Sequence, residues 1–161
     1  MFRELLGLPA HAFIVHATVV FIPLAAVAAI LYALWPSVRK HIWWAVLALG
    51  VVAPITAWAA RLSGEEYEKY WLSIGASGPI LDEINQHQAL GNVLSWWATG
   101  LGVAMLVTVL YLIPAPIVKG GAKSSMVRIV GSVVTVAAAI VTLYYVIRTG
   151  DAGAHVSHPD I

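Results

Sequence analysis

Histidines near the ends of long apolar runs are the residues of this sequence whose type and placement could do chemistry. Five histidines flank these runs, two at the start of the first run, one at the start of the third and two after the fourth: His11, His16, His87, His155 and His158. A neutral imidazole is the commonest protein ligand of metal ions and also an axial ligand of haem iron. Because an imidazole in hydrocarbon requires partners for its ring nitrogens, the pattern indicates a cofactor site for haem b, or for a copper or zinc ion.

The spacing of these histidines limits which of them can share one ligand. His16 follows His11 by five residues, which puts the two side chains roughly 140° apart around an ideal helix. One helix face therefore cannot offer both to a small ion. Because His16 lies deeper in the first run, we take His16 and His87 as the core pair of a site between facing helices. The remaining histidines, His11, His155 and His158, then form a second site or orient the first.

A simpler interpretation exists for each histidine. Histidines at a membrane interface often only hydrogen-bond to backbone carbonyls and water, and this explanation suits His11, His155 and His158 when each is taken singly. It suits His16 less well, because that residue lies deeper in the apolar run. His87 is compatible with a plain polar residue at the start of a helix.

The elements that position these histidines are membrane-spanning helices. Of the 161 residues, 60% are hydrophobic and 11% are charged, whereas an average soluble protein has about 25% charged residues. Four apolar runs exceed the ~18 residues that a membrane helix requires. They predict a single all-α domain, an integral membrane four-helix bundle, with spans at about residues 10–35, 42–62, 87–113 and 128–148. In the first span Ala25, Ala29 and Ala33 form a small-residue face that lets another helix approach closely.

The composition also excludes several classes of protein. The chain has no cysteine, so disulfides, thiolate ligands and covalent attachment of c-type haem are excluded. A net charge of +1 argues against nucleic acid as a partner. The sequence has no recognisable nucleophile–base pair, phosphate-binding loop or intramembrane carboxylate pair, so we assign no catalytic residue and leave a redox component as the only enzymatic role. The first run is too long for a signal peptide, and we expect it to be retained.

The segment between the second and third runs is polar. Ser63-Gly-Glu-Glu66 matches a capping box and predicts the start of a new polar helix. The stretch Gly75-Ala-Ser-Gly-Pro79 should break that helix, and a further helix should begin at Ile80 and continue into the third span. We therefore expect a short helical outer loop that caps the bundle. Within the third span Trp96 and Trp97 lie about 14 Å beyond His87, where they either line a cofactor or pack the core.

Basic residues in the loops predict the orientation of the bundle. One face has five basic residues and no acid, and the other has four basic residues together with all eight carboxylates. The positive-inside rule counts Lys and Arg, so the acid-free face should be cytoplasmic and both termini should lie outside. In a bacterial inner membrane the outside is the periplasmic or extracellular side, and five of the six histidines lie on that half. Only His41, beside Arg39 and Lys40, lies on the other face, and we interpret it as an interface residue.

The chain resembles a bacterial family of four-helix membrane proteins catalogued as domain of unknown function 2231. The resemblance rests on three short motifs: His11-Ala-Phe-Ile-Val-His16, His87-Gln-Ala-Leu-Gly-Asn92 and Gly150-Asp-Ala-Gly-Ala-His155-Val-Ser-His158. Ala12 stands where the family pattern has a proline after the first histidine. The resemblance covers most of the chain and implies a four-helix bundle with histidines gathered at one membrane face, an architecture similar to that of b-type cytochrome domains.

Two functions are compatible with these patterns. The first is a haem-binding or metal-binding membrane protein in electron transfer, associated with a respiratory complex. The second is a small non-catalytic accessory subunit that packs against a larger membrane complex or against further copies of itself. Small-residue faces and uncharged spans favour the second function, and the two can coexist. Transport is less well supported, because no charged residue lines a path through the spans.

Overall fold

The structure, a computed structural model, describes residues 4–5, 8–75, 77–113 and 124–157. Two short strands, β1 (Glu4–Leu5) and β2 (Leu8–Pro9), pair in antiparallel fashion ahead of the first helix. The four helices that follow are α1 (Ala10–Leu34), α2 (Pro36–Ser73), α3 (Pro79–Val107) and α4 (Ser125–Ser157). One turn of π-helix, Thr108–Leu112, extends α3. The prediction of an all-helical chain with four helices is confirmed, and each helix is long and apolar enough to cross a membrane.

Small side chains at the helix contacts hold the bundle together. Helix α1 packs against α2 and α4, and α3 packs against the same two helices. The predicted small-residue face of α1 is buried at Ala25, Ala29 and Ala33. Small residues let helices approach closely, which brings the helix backbones into extensive van der Waals contact. The core also takes larger residues from the other helices, among them Val46, Leu101, Met105 and Val146.

Hydroxyl groups inside the bundle are satisfied by neighbouring helices. The Thr108 and Thr135 hydroxyls are buried and hydrogen-bonded to each other at 2.8 Å, which joins the π-helical turn to α4. The Tyr32 hydroxyl donates to the carbonyl of Ile113 at 2.8 Å. Such bonds are required because an unpaired polar group among apolar helices costs several kcal/mol in hydrocarbon.

The two ends of the bundle differ in their polar residues. At the arginine end, where Arg39 and Arg128 lie, Arg39 donates from Nε to the Tyr32 carbonyl and from Nη2 to the Ala33 carbonyl, both at 2.8 Å. These bonds satisfy carbonyls at the end of α1 that have no partner within the helix. At the histidine end, where His11 and His87 lie, α2 and α3 continue until they meet at a turn. Gly75 and Gly78 in that turn have φ of 87° and 70°, which confirms the predicted break.

The capping box predicted at Ser63 is wrong, because α2 passes through it without interruption. Over 38 residues α2 is roughly 57 Å long, so the polar segment after Ser63 extends the second helix instead of forming a separate cap helix. The Ser63 hydroxyl donates to the Ala60 carbonyl three residues back, at 2.9 Å, and does not cap a helix start. Helix α4 also extends beyond its predicted end at residue 148. It continues through Gly150 and Gly153 to Ser157.

Candidate functional site

Two histidines from different helices face each other at the histidine end of the bundle. His11 lies in the first turn of α1, and His87 lies on α3 where that helix enters the bundle. Their ring centroids are 6.4 Å apart with an interplanar angle of 82°, so one ring presents its edge to the other. Both side chains are half-buried. We call these two residues the histidine pair.

The hydrogen bonds of His11 determine which of its nitrogens carries the proton. His11 Nδ1 lies 2.9 Å from the Ser63 Oγ. A hydroxyl has a single hydrogen, and that of Ser63 is donated to the Ala60 carbonyl. The Ser63 oxygen therefore accepts, and His11 Nδ1–H donates to it. In the neutral ring, Nε2 is then left with its lone pair exposed for a ligand.

His87 is held in the same tautomer by a different acceptor. Its Nδ1 lies 3.0 Å from the backbone carbonyl oxygen of Thr149 on α4. A carbonyl can only accept a hydrogen bond, so Nδ1–H of His87 is the donor and its Nε2 carries the lone pair. Metal-ligating histidines almost always donate their other ring N–H to a carbonyl, a carboxylate or a comparable acceptor, which fixes the ring and raises its basicity. Both members of the histidine pair have this arrangement.

A glycine on the neighbouring helix makes room for each imidazole. A Cβ built on Gly64 would lie 3.2 Å from Cε1 of His11, and one built on Gly153 would lie 2.9 Å from Cε1 of His87. Each half of the bundle therefore supplies one histidine, one acceptor for its Nδ1–H and one glycine against its ring. The sequence shows no such repeat, because acceptor and glycine are adjacent on α2 but four residues apart on α4.

Aromatic and polar groups of α2 and α3 surround the pair. The ring of Tyr67 stacks on His11 at a centroid distance of 6.0 Å. Next to His87, Gln88 donates from Nε2 to the Glu68 carboxylate at 2.8 Å and so connects α3 to α2. One turn before His87, the Glu83 Oε2 is buried without a hydrogen-bond partner among the described residues.

The structure does not bring His16 to His87, contrary to the pairing expected from depth alone. His16 is exposed on the outside of the bundle, and its Nδ1 donates to the carbonyl of Ala12 in its own helix. His11 faces inward because it shares the face of Ala29, which lies 18 residues, or about five full turns, further along α1. The small-residue face thus contained the information that identifies His11 as the inward histidine.

The other predicted site residues lie away from the histidine pair. His155 is exposed, and its Nδ1 donates to the Asp151 carbonyl at 2.9 Å. His158 lies outside the described residues. Trp96 is 63% exposed, Trp97 is 38% exposed, and both lie further along α3 than His87. Trp96 meets Trp58 edge to face at 5.2 Å and packs against no member of the pair.

The number of protein ligands restricts the kinds of metal that suit this site. Within the part of the chain that the structure describes, no group of three or more histidine or carboxylate side chains is close enough to hold an ion. The pair by itself offers two imidazole nitrogens. Two axial histidines suffice for haem iron, whose equatorial ligands come from the porphyrin. Imidazole also suits copper, whereas a structural zinc site is closed by four ligands.

No known protein family, curated protein or solved structure matches this chain. The resemblance to the family of domain of unknown function 2231 therefore stays a prediction from three short motifs.

Proposed function

We propose that this chain is a multi-pass protein of the bacterial inner membrane that holds a redox metal centre between His11 and His87 and takes part in electron transfer. The metal is the iron of haem b or a copper ion, each of which accepts neutral imidazole as a ligand. The observation that carries the proposal is the meeting of two half-buried imidazoles from different helices, with ring centroids 6.4 Å apart. Both rings donate from Nδ1 to a fixed acceptor and keep the lone pair of Nε2 for a ligand.

The placement of the pair supports a redox role near the aqueous phase. Both histidines lie where the helices enter the apolar part of the bundle, beside polar residues of α2 and α3. A centre there is close enough to water to exchange electrons with a partner outside the bilayer. On the count of basic residues in the loops, this end faces the periplasm.

Purified protein tests the proposal through its visible spectrum and its metal content. We expect either a Soret band that shifts on reduction with dithionite or about one equivalent of copper without porphyrin. His11→Ala and His87→Ala should each abolish the signal. His16→Ala and His155→Ala are matched controls, because those exposed histidines also bond from Nδ1 to a backbone carbonyl, and they should retain the signal.

Two results would contradict the proposal. Wild-type protein that contains neither haem nor metal after expression with both supplied would leave the histidine pair as a packing feature. A cofactor that is lost in His16→Ala but kept in His11→Ala would place the site elsewhere. Zinc at the pair would confirm a metal site but contradict electron transfer, because zinc has no redox chemistry.

A second candidate function, an accessory subunit of a larger membrane complex, is favoured by one surface of α3. Trp96 is 63% exposed there. One turn later, a Cβ built on Gly100 would meet nothing within 4 Å. A large aromatic side chain beside an open notch suits close approach of a helix from another protein. A stoichiometric partner that copurifies from membranes and is lost in Trp96→Ala would support this role.

A further inference from the structure

A groove at the arginine end of the bundle lies between α1 and α4, away from the histidine pair. Its volume is about 620 Å³. Its apolar walls come mainly from one face of α4, with Ile129, Val133 and Ile140 exposed along it. From Arg128 to Ile140 the groove follows α4 for roughly 18 Å, which compares with about 15 Å of hydrocarbon in one leaflet. Its length therefore fits an acyl chain that lies along the helix within a single leaflet.

Two arginines form the polar end of this groove. Arg39 and Arg128 both line it, and none of the described residues that line it is acidic. Both guanidinium groups carry a positive charge at the same end of the groove. Arg39 donates two hydrogen bonds to the carbonyls at the end of α1. The polar end of the groove is therefore positively charged, and no carboxylate among its described lining residues neutralises that charge.

Arg128 has a donor that lacks an acceptor within the described part of the chain. Its Nε is buried and makes no hydrogen bond. A buried charged donor without a partner is costly, so an anionic acceptor at this position would offset that cost. Arg128 also lies in the first turn of α4, where the helix macrodipole adds partial positive charge. Guanidinium groups recognise phosphate through paired N–H···O bonds.

We propose that this groove binds an anionic phospholipid, with its phosphate on Arg39 and Arg128 and an acyl chain along α4. The chemistry matches from end to end, because a basic site leads into an apolar channel that is about one leaflet long. Basic pockets between membrane helices bind anionic lipid headgroups in this way. The lipid phosphate would accept from the Arg128 Nε, which has no partner among the described residues, and would offset the positive charge of both arginines.

Native mass spectrometry of the full chain in detergent tests the proposal. Phosphatidylglycerol and phosphatidylcholine with identical acyl chains are titrated onto delipidated protein. We expect one phosphatidylglycerol per chain, bound at least about tenfold more tightly than phosphatidylcholine, since the choline cation of the latter is repelled by the two arginines and offsets the attraction of its phosphate. Arg128→Gln should remove this preference. Arg148→Gln, at the opposite end of the same helix, should leave it unchanged.

Two further experiments distinguish a bound lipid from free phosphate and from other occupants of the groove. Inorganic phosphate at millimolar concentration should not displace the lipid, because it lacks the acyl chain. Val136→Phe fills the apolar part of the groove and keeps both arginines, so it should weaken binding and serves as the test if Arg128→Gln fails to fold. Equal affinity for the two lipids, a preference that survives Arg128→Gln, or a dimer formed without lipid would overturn the proposal.

Discussion

The contact between His87 and Gly153 makes the position of one imidazole depend on a missing methyl group. A Cβ on Gly153 would lie 2.9 Å from Cε1 and 3.2 Å from Nδ1 of His87, and real Cβ atoms essentially never come within 3.0 Å of another heavy atom. The ring would have to move, and its bond to the Thr149 carbonyl would move with it. The geometry of the candidate ligand is therefore sensitive to a residue that could never bind metal itself.

Gly153→Ala should lower the affinity for the metal centre by about tenfold or more, the range seen when groups that orient a ligand are altered. Gly150→Ala is the matched control on the same helix, because its Cβ meets nothing within 4 Å. That control should keep full cofactor content and stabilise the protein by up to ~1 kcal/mol through helix propensity. Titration of the apo-protein with metal or haemin gives both affinities. Equal affinities for the two variants would contradict the role of Gly153.

Ser63 provides a second test at the scale of single residues. Ser63→Ala removes the hydroxyl that accepts from His11 Nδ1–H and leaves the Ala60 carbonyl as the remaining partner of that ring, so its orientation is held less firmly, and affinity for the centre should fall by roughly 10-fold. Ser73→Ala is a matched control, because the Ser73 hydroxyl makes the same bond to a carbonyl three residues back on α2 but contacts no histidine. The control should bind like the wild type. If both serine variants lose affinity, the effect lies in α2 as a whole.

At the scale of helices, a close backbone contact joins α2 and α3 at two glycines, Gly50 and Gly102. A Cβ on Gly102 would collide with the carbonyl oxygen of Gly50, which is backbone and cannot rotate away. Gly102→Ala should therefore destabilise the bundle by about 1–3 kcal/mol, the usual cost of overpacking. Gly100→Ala, two residues earlier on the same helix, has open space and should not destabilise it. The stability of both variants can be measured by titrating the protein in mild detergent micelles with a denaturing detergent. Equal stability of the two variants would contradict the close packing at Gly102.

The sequence predicted the four helices well because each comes from a long apolar run. A membrane helix needs about 20 apolar residues, so four such runs leave little choice of fold. The predicted helix boundaries were wrong where contacts between residues distant in sequence determine the structure. Ser63 resembles a capping residue locally, and only the position of His11, 52 residues away, explains its other role. Local patterns contain no information on such a partner.

The choice between His11 and His16 as the inward histidine could have been made from the sequence. Depth in the apolar run favoured His16, but rotation about the axis of α1 decides which side chain faces inward. Ala29 marks the buried face, and His11 shares that face whereas His16 lies roughly 140° away from it. The acceptors and glycines around the pair could not be found in this way, because they come from other helices.

At the scale of the whole molecule, the orientation proposed from the basic residues of the loops can be tested directly. The chain has no cysteine, so a single introduced cysteine is labelled without background. Ser77, in the turn at the histidine end, and Ser37, at the arginine end, are both exposed. An impermeant maleimide added to intact spheroplasts should label Ser77→Cys and should reach Ser37→Cys only after lysis. The reverse pattern would place the histidine pair on the cytoplasmic side.

The fit of His87 against Gly153 also has an evolutionary consequence for the order of substitutions. While His87 is present, alanine at residue 153 displaces its ring and is disfavoured, although alanine favours a helix by up to about 1 kcal/mol over glycine. A lineage that loses the histidine releases Gly153, and selection for stability then favours alanine there. Once alanine is fixed, regaining His87 alone no longer restores the full affinity of the site, because its ring cannot take the same position. Loss of this half of the pair is therefore hard to reverse, and the two positions should change together.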